Sequence, residues 1–409
     1  MADTFENAVV TICGPSAEDA EQGFLHDRQF LQEGPSAPVA IDLPSDEGTT
    51  TCLIVQEQPY SDDRFYKEAQ HPLARRGWIT QERLLSPRVL YFGRYQMYME
   101  CAAADFFENC RVPLTPHPHY PGSKPAISRS DRNQLFEHWT SIVQDYSCCD
   151  LTEGSDRLPA LSGTARRFHD LLGSPYHCGS WRDDLIAALA WCRHQRSQAL
   201  VARPATVQPP TWSWVSCDYG IRFMHPRRNE FEAHAAVQAI STPPVGLDPY
   251  GQVNGGKLTL RAKLKSAAVE RVVYTGTNGT SLGSTDRDRD FVVSLDDAGF
   301  LQPVARMERD DPLRDRARLI YVDSKRLEDV AIMLLTVHYS EKAGVSRAAP
   351  WRWTALVLQR TDDAAPTMRR IGFVEFFRGS PPRCWPDEIY NIEAWHWMDT
   401  AEVQTVVIV

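Results

Sequence analysis

Between Val201 and Pro210 the apolar period of this sequence changes, and that change constrains the fold more than any motif does. Before it, apolar residues recur three and four apart; after it, they alternate. Asp131 to Tyr146 sets Leu135, Trp139, Ile142 and Val143 on one helical face. Asp156 to Leu172 repeats the pattern with Leu158, Leu161, Ala165 and Phe168, and Gly173 supplies a stop. Ser180 is placed to cap a third helix, with Asp183 and Asp184 at its positive end and Leu185, Ile186, Leu189 and Trp191 as its apolar face. Beyond the proline-punctuated connector, strands are expected at Thr211 to Cys217, Phe231 to Ile240, Lys257 to Val273, Phe291 to Leu295, Leu319 to Val322, Val330 to Tyr339, Trp353 to Gln359, Met368 to Phe377 and Thr405 to Val409. Charged runs at Asp286 to Asp290 and Glu308 to Arg318 read as loops between them. The segment from Lys257 to Leu264 alternates cleanly, as a half-buried antiparallel strand does.

The front of the chain is different again. Ala8 to Cys13 is a nearly continuous apolar run, the pattern of a buried strand in an α/β layer. It begins only a few residues into the chain, so a strand of this kind would lack neighbours ahead of it. A loop-rich stretch from Gln29 to Pro72 follows, with one strand at Thr50 to Gln56. Then comes RRGWITQERLLSPRVLYFGRYQMYMEC, Arg75 to Cys101. It reads as a short helix stopped at Ser86-Pro87 and two strands, Arg88 to Phe92 and Gln96 to Cys101. The expected fold class is α+β: a remnant α/β layer over residues 1–128, a three-helix section over 129–200, and an antiparallel β-rich domain, sandwich or open barrel, over 201–409.

Composition narrows the partners. The chain has 409 residues, 43% hydrophobic and 24% charged, which is enough for a sizeable core. A net charge of -9 argues against bulk nucleic-acid or anionic-membrane binding. No secretory leader opens the sequence, and no run is long and apolar enough for a membrane span. The ten cysteines are scattered with no CxxC pair, so reduced thiols and a cytoplasmic location are expected. Eleven tryptophans exceed what a core of this size needs, which points to an aromatic-lined cavity for an apolar small molecule.

Standard catalytic signatures are missing from the sequence: no Walker loop, GxGxxG, GxSxG, HExxH or zinc spacing occurs, and no cofactor or metal is expected. His117 and His119 alternate with prolines and read as loop residues; the GQVNGG run at Gly251 to Gly256 reads as a hairpin connection. Glu82 and Arg88 could form a buried ion pair fixing the helix-to-strand junction. Alternatively, Arg76 and Arg88 could hold a substrate carbonyl or carboxylate beside Trp78. His177, between Tyr176 and Cys178, could cap the third helix, donate to a ligand, or act as acid or base. Trp181, and Trp212 with Trp214 projecting from one side of a strand, could be core or could line a pocket. The candidate catalytic set is thus His177, Arg76 and Arg88, and the candidate substrate-binding set is Trp78, Tyr176, Trp181, Trp212 and Trp214.

RGWITQERLLSPRVLYFG followed by a strand ending in Glu100-Cys101 resembles the most recognisable block of the fungal HET (heterokaryon incompatibility) domain family. NAVVTIC with GFLHDR agrees in order. So do Trp139 to Thr152 with DRLPALSG, then Gly179-Ser180-Trp181, Thr211-Trp212-Ser213-Trp214, and the later Ala355 to Leu358 with Arg370-Ile371-Gly372. Members of that family carry a large α/β portion ahead of the NAVVTIC strand, taken to belong to the effector, which this sequence does not match. The resemblance implies one of two functions. One is non-self recognition and cell-death signalling through protein contacts. The other is a shortened HET-like scaffold recruited to fungal secondary metabolism as a cofactor-independent cyclase. Pericyclic, Diels-Alder-type closure demands orientation more than acid-base machinery.

Overall fold

The computed structural model describes residues 2–15, 17, 19, 21–25, 39–44, 50–55, 72–93, 97–108, 130–193, 208–224, 231–270, 291–295, 317–320, 327–339, 350–361, 367–377, 398 and 400–409. The run holding His117 and His119 and the charged run Asp286 to Asp290 lie outside them. The fold is α+β, and the chain divides into two compact units. The first is Met1–Asp131 with Cys149–Leu151 and Gly163–Arg167; the second is Arg132–Cys148, Thr152–Ser162 and Phe168–Val409.

The first unit contains helices α1 (Ala2–Glu6) and α2 (Gly77–Leu85) and a four-stranded mixed sheet. Its strands are β1 (Thr11–Cys13), β4 (Arg88–Phe92), β5 (Met97–Cys101) and β6 (Asp105–Phe107), in that order, with β1 parallel to β4 and the other pairs antiparallel. A separate hairpin joins β2 (Val39–Pro44) to β3 (Thr50–Val55).

The junction at Ser86-Pro87 forms as the sequence predicts. Ser86 Oγ donates to the Glu82 carbonyl at 2.7 Å and lies 2.7 Å from Thr11 Oγ1, so the helix ends where strand β4 must begin. At the other end, Gly77 N–H donates to the Asp150 carbonyl and Asp150 N–H to the Arg75 carbonyl. Cys13, Val89, Tyr91, Tyr98 and Phe107 form the core on one sheet face, with Ile79 of α2 packed against it.

Two expectations fail in this unit. The strand over Ala8 to Cys13 shortens to Thr11–Cys13, and only Cys13 is buried; Val9 is 78% exposed and Ile12 57%. Apolar composition marked a strand but could not say which face had a neighbour. The Glu82–Arg88 pair also does not form. Arg88 donates to the Val9 carbonyl at 3.3 Å, and the buried pair is Arg83 with Glu100. Arg83 Nε donates to Glu100 Oε2 at 2.8 Å, and Tyr91 Oη donates to the same oxygen at 3.0 Å. Burial opposes the Arg83 charge most strongly, but Glu100, together with Tyr91 and Tyr98, outweighs it and holds the guanidinium protonated. One carboxylate therefore ties α2, β4 and β5 together.

The second unit begins with α3 (Arg132–Tyr146) and includes most of α4 (Ser162–Leu172), which stops at Gly173 in the left-handed region, as expected. The third expected helix is reduced to a 3-10 turn and the four-residue α5 (Leu185–Ala188). Ser180 caps nothing. It lies in β8 (Ser180–Trp181), which pairs with β7 (Tyr176–His177) in a tight hairpin. Downstream, β9 (Trp191–Arg193) pairs with β10 (Ile221–Phe223).

The strands that follow are β11 (Phe231–Ala233), β12 (Ala235–Ser241), β13 (Lys257–Glu270), β14 (Phe291–Leu295), β15 (Ala317–Ile320), β16 (Leu327–Tyr339), β17 (Pro350–Arg360), β18 (Thr367–Phe377) and β19 (Glu402–Ile408). Five of them close on themselves. β13 pairs with β16, β16 with β17, β17 with β18, β18 with β19 in parallel, and β19 with β13. The result is a closed five-stranded barrel, where a sandwich or open barrel was expected. Closure comes from the length of β13, whose 14 residues reach β19 with one half and β16 with the other. Residues 330–337 and 353–358 are buried without alternation, so both faces of β16 and β17 are covered.

The expected strand Thr211 to Cys217 is instead a chain of turns, closed by Ser213 N–H to the Pro210 carbonyl and by Ser213 Oγ accepting from Val215 N–H. Arg370 of β18 pins the barrel to the α5–β9 segment. Its Nη1 donates to the Leu189 carbonyl at 2.7 Å and its Nη2 to the Trp191 carbonyl at 2.5 Å, with the guanidinium 3.4 Å from the Trp191 ring centroid.

The Glu100 clamp is directly testable. Glu100→Gln leaves the Arg83 charge buried without its counter-ion, so equilibrium urea unfolding should show the first unit destabilised by about 3 kcal/mol. Arg88→Gln, which touches only an exposed carbonyl contact, should change stability by less than about 0.5 kcal/mol.

Candidate functional site

The sequence candidates fall into two groups. Arg76, Trp78 and Arg88 belong to the first unit, where Arg76 and Arg88 are exposed and Trp78 is half-buried. Tyr176, His177, Trp181, Trp212 and Trp214 belong to the second, and there the β7–β8 hairpin organises them.

The hairpin turns on Cys178 and Gly179, with φ of 45° and 88°. Positive φ at both central residues is what a two-residue hairpin of the right twist demands. Glycine meets that demand freely; a cysteine in the left-handed region is strained. Neighbouring contacts hold the strained turn. The Gly179 carbonyl accepts from Trp139 Nε1 and from Trp214 Nε1, each at 3.0 Å. The Cys178 carbonyl accepts from Ser213 Oγ at 2.7 Å. A Cβ on Gly179 would stand 2.3 Å from Trp214 Nε1, so no side chain fits.

Trp214 is therefore a structural indole. It is also set edge-on to Tyr146 and lies 5.7 Å from the Arg157 guanidinium, whose Nη1 donates to the Val215 carbonyl at 3.0 Å. Trp212 is buried as well, and its carbonyl accepts from Trp191 Nε1 at 3.2 Å. The two do not share one face of a strand, because the segment is not a strand.

Tyr176 and Trp181 are cross-strand partners, and their rings meet at 5.1 Å. Two residues outside the sequence candidates complete a circuit with them. His169 of α4 lies 6.2 Å from Trp181, Tyr250 lies 5.3 Å from Tyr176, and His169 and Tyr250 are 5.8 Å apart. Trp139 backs the circuit, 5.3 Å from Trp181 and 6.1 Å from Tyr176. Tyr250 is placed by a turn in which Asp248 Oδ1 accepts its N–H at 3.0 Å. The same segment supplies Thr242, whose Oγ1 is 3.0 Å from His177 Nδ1. His169 was hidden in a helical apolar pattern, and Tyr250 in a loop before the GQVNGG run; nothing local in the sequence marked either.

The electrostatics of the circuit are unusual for a packed interior. Tyr176 Oη, Trp181 Nε1 and His169 Nδ1 are buried and make no hydrogen bond of ordinary geometry. Each such group left unsatisfied costs about 1–3 kcal/mol. Burial raises the Tyr176 phenol well above its ordinary value; Cys178 adds to this and the Gly179 backbone opposes it. The hydroxyl is therefore a proton donor at neutral pH. His177 is shifted down, by burial first and then by Arg182, so its imidazole is neutral and engaged with Thr242. Chemically, the arrangement concentrates hydrogen-bond donors among packed aromatic rings. Among the described residues, no cluster of three or more His, Cys, Asp or Glu side chains could hold a metal ion, and no helix is long and apolar enough to cross a membrane.

Two outcomes check this geometry. Gly179→Ala should lower stability by about 2 kcal/mol in chemical denaturation, from the positive φ together with the clash on Trp214. For His177, the unfolded chain binds a proton at a higher pH than the folded one does. Its stabilising contribution is therefore present above the ordinary histidine value and falls as pH drops from there toward the lowered folded value. A Tm-against-pH series should show a smaller loss on acidification for His177→Gln than for the parent chain.

Comparisons with family models, with curated proteins and with solved structures find no match to this chain.

Proposed function

We propose that the chain is a HET-like scaffold recruited as a cofactor-independent cyclisation enzyme of secondary metabolism, a pericyclase of Diels-Alder type. The observation that carries this reading is the closed circuit of His169, Trp181, Tyr176 and Tyr250, backed by Trp139. Flat, desolvated rings in van der Waals contact suit an apolar substrate. A pericyclic closure needs its reacting ends held together and no proton moved. Such orientation lowers a barrier by an amount on the order of several kcal/mol. In this reading Tyr176, Trp181 and Tyr250 bind substrate, while Trp212 and Trp214 support the hairpin from behind. His177, neutral and bonded to Thr242, positions β7 and transfers no proton. Arg76, Trp78 and Arg88 belong to the first unit and are not drawn on in this reading.

A second reading is a heterokaryon-incompatibility protein or regulator acting through protein contacts, and a different observation favours it. Ile12, Leu90, Met99 and Phe106 form one cross-strand row on the face of the four-stranded sheet opposite its core, with Ile12 57% and Phe106 41% exposed. Exposed apolar rows of this kind are commonly covered by a partner.

Metabolite profiling separates the two. Deleting the gene in its host should make an uncyclised precursor accumulate at the expense of a polycyclic product. An unchanged profile, with altered compatibility on cell fusion, would reject the enzyme and favour the protein-contact reading.

A further inference from the structure

We infer that the aromatic circuit recognises a neutral hydrogen-bond acceptor, a carbonyl oxygen on a flat apolar ligand, through Trp181 Nε1 and Tyr176 Oη. The inference rests on the reading of the circuit as a substrate site and adds the polar group that the substrate must carry.

Trp181 is wholly buried, and an indole N–H can only donate, yet this one has no acceptor. Trp139, Trp191 and Trp214 in the same unit each reach a backbone carbonyl, whereas Trp212 Nε1, like that of Trp181, does not. Tyr176 Oη, on the ring directly paired with Trp181, has the Gly179 backbone beside it but no acceptor for its own proton. His169 Nδ1, on a ring 6.2 Å from Trp181, is a third buried polar atom without a partner and donates in the matching tautomer.

Two obligate or protonated donors on adjacent rings define the complement: an atom with two lone pairs. The circuit itself contains no guanidinium or ammonium, so a neutral carbonyl fits it better than a carboxylate, whose charge would be desolvated without compensation. A site built to donate hydrogen bonds also rejects the isostere that lacks the acceptor, because its buried donors then stay unpaired. For a cycloaddition the same contact would polarise an activating carbonyl, and donors aimed at developing charge lower the barrier. Tyr250, half-buried on its turn, is the side of the circuit that a ligand would pass.

The test uses a pair of shape-matched probes, acetophenone and α-methylstyrene, titrated into the 409-residue chain labelled with 15N at tryptophan. Trp181→Phe identifies the Trp181 indole resonance. Acetophenone is expected to move that resonance downfield and to saturate, binding about tenfold more tightly than α-methylstyrene. Tyr176→Phe should remove most of that preference. Equal binding of the two probes at the Trp181 resonance would overturn carbonyl recognition and leave the apolar substrate site standing. A Trp181 resonance unmoved by either probe would overturn both. The comparison of probes on the parent chain stands whether or not either variant folds.

Discussion

One carbonyl oxygen, that of Gly179, receives two indole N–H groups, and the arrangement of the second unit around its hairpin follows from that contact. Trp139 reaches it from α3 and Trp214 from the turns after Pro210, so a helix and an irregular segment meet on a single peptide. For the oxygen to face both, the turn must run through positive φ at Cys178 and Gly179, and the second position must lack a Cβ. Turn geometry then fixes register, and register sets Tyr176 opposite Trp181. A feature of the candidate site is therefore a consequence of a backbone requirement two residues away. The strained Cys178 is tolerated because Ser213 and the two indoles over-determine the turn.

Buried guanidiniums do similar work elsewhere, by two different electrostatic routes. In the first unit Arg83 meets a carboxylate, and Tyr91 shares the load on Glu100. In the second unit Arg157 and Arg370 donate to backbone carbonyls: Val215, Cys217 and Tyr219 for one, Leu189 and Trp191 for the other. Cys217, Tyr219 and Leu189 lie outside helices and strands, Val215 sits in a single 3-10 turn, and Trp191 opens the short strand β9. An arginine fork, with five donors in a fixed plane, satisfies several of them at once. Stacking on Trp214 and Trp191 compensates part of the lost hydration. Irregular backbone is thereby made compatible with burial.

The sequence shows the elements whose signal is periodic and hides those whose signal is tertiary. Alternation locates β13, and long apolar runs locate β16 to β18, because strand period and burial are local properties of the chain. Ser86-Pro87 is legible for the same reason, since proline restricts its own neighbour. Barrel closure is not legible. It depends on β13 being long enough to pair with β16 and β19 along different halves, and alternation is identical in an open sheet. The third helix fails instructively: its apolar spacing and its acidic start are present, but the positive φ at Cys178-Gly179 diverts Ser180 and Trp181 into a hairpin. Thr211 to Cys217 fails because Ser213 satisfies the backbone locally and Pro210 begins a turn. Among site residues, Tyr176, His177 and Trp181 were found through their clustering in sequence. His169 and Tyr250 come from 7 and 74 residues away from Tyr176, and only the fold brings their rings to it.

The unsatisfied donors separate the circuit from the rest of the aromatic core. Aromatic packing alone does not mark a site, since Trp139, Trp191 and Trp214 are buried as deeply and simply hold backbone carbonyls. Trp212 shows that one orphaned indole is also compatible with a structural role, because its Nε1 is unpartnered outside the circuit. What distinguishes Trp181 is company. Its ring packs against those of Tyr176 and His169, which also carry buried polar atoms lacking an acceptor or partner, so this capacity is concentrated on three neighbouring rings. A fold that satisfies irregular backbone elsewhere with whole arginine side chains leaves this small region unsatisfied. This concentration of polar atoms among packed aromatic rings is the observation on which the proposed substrate site rests.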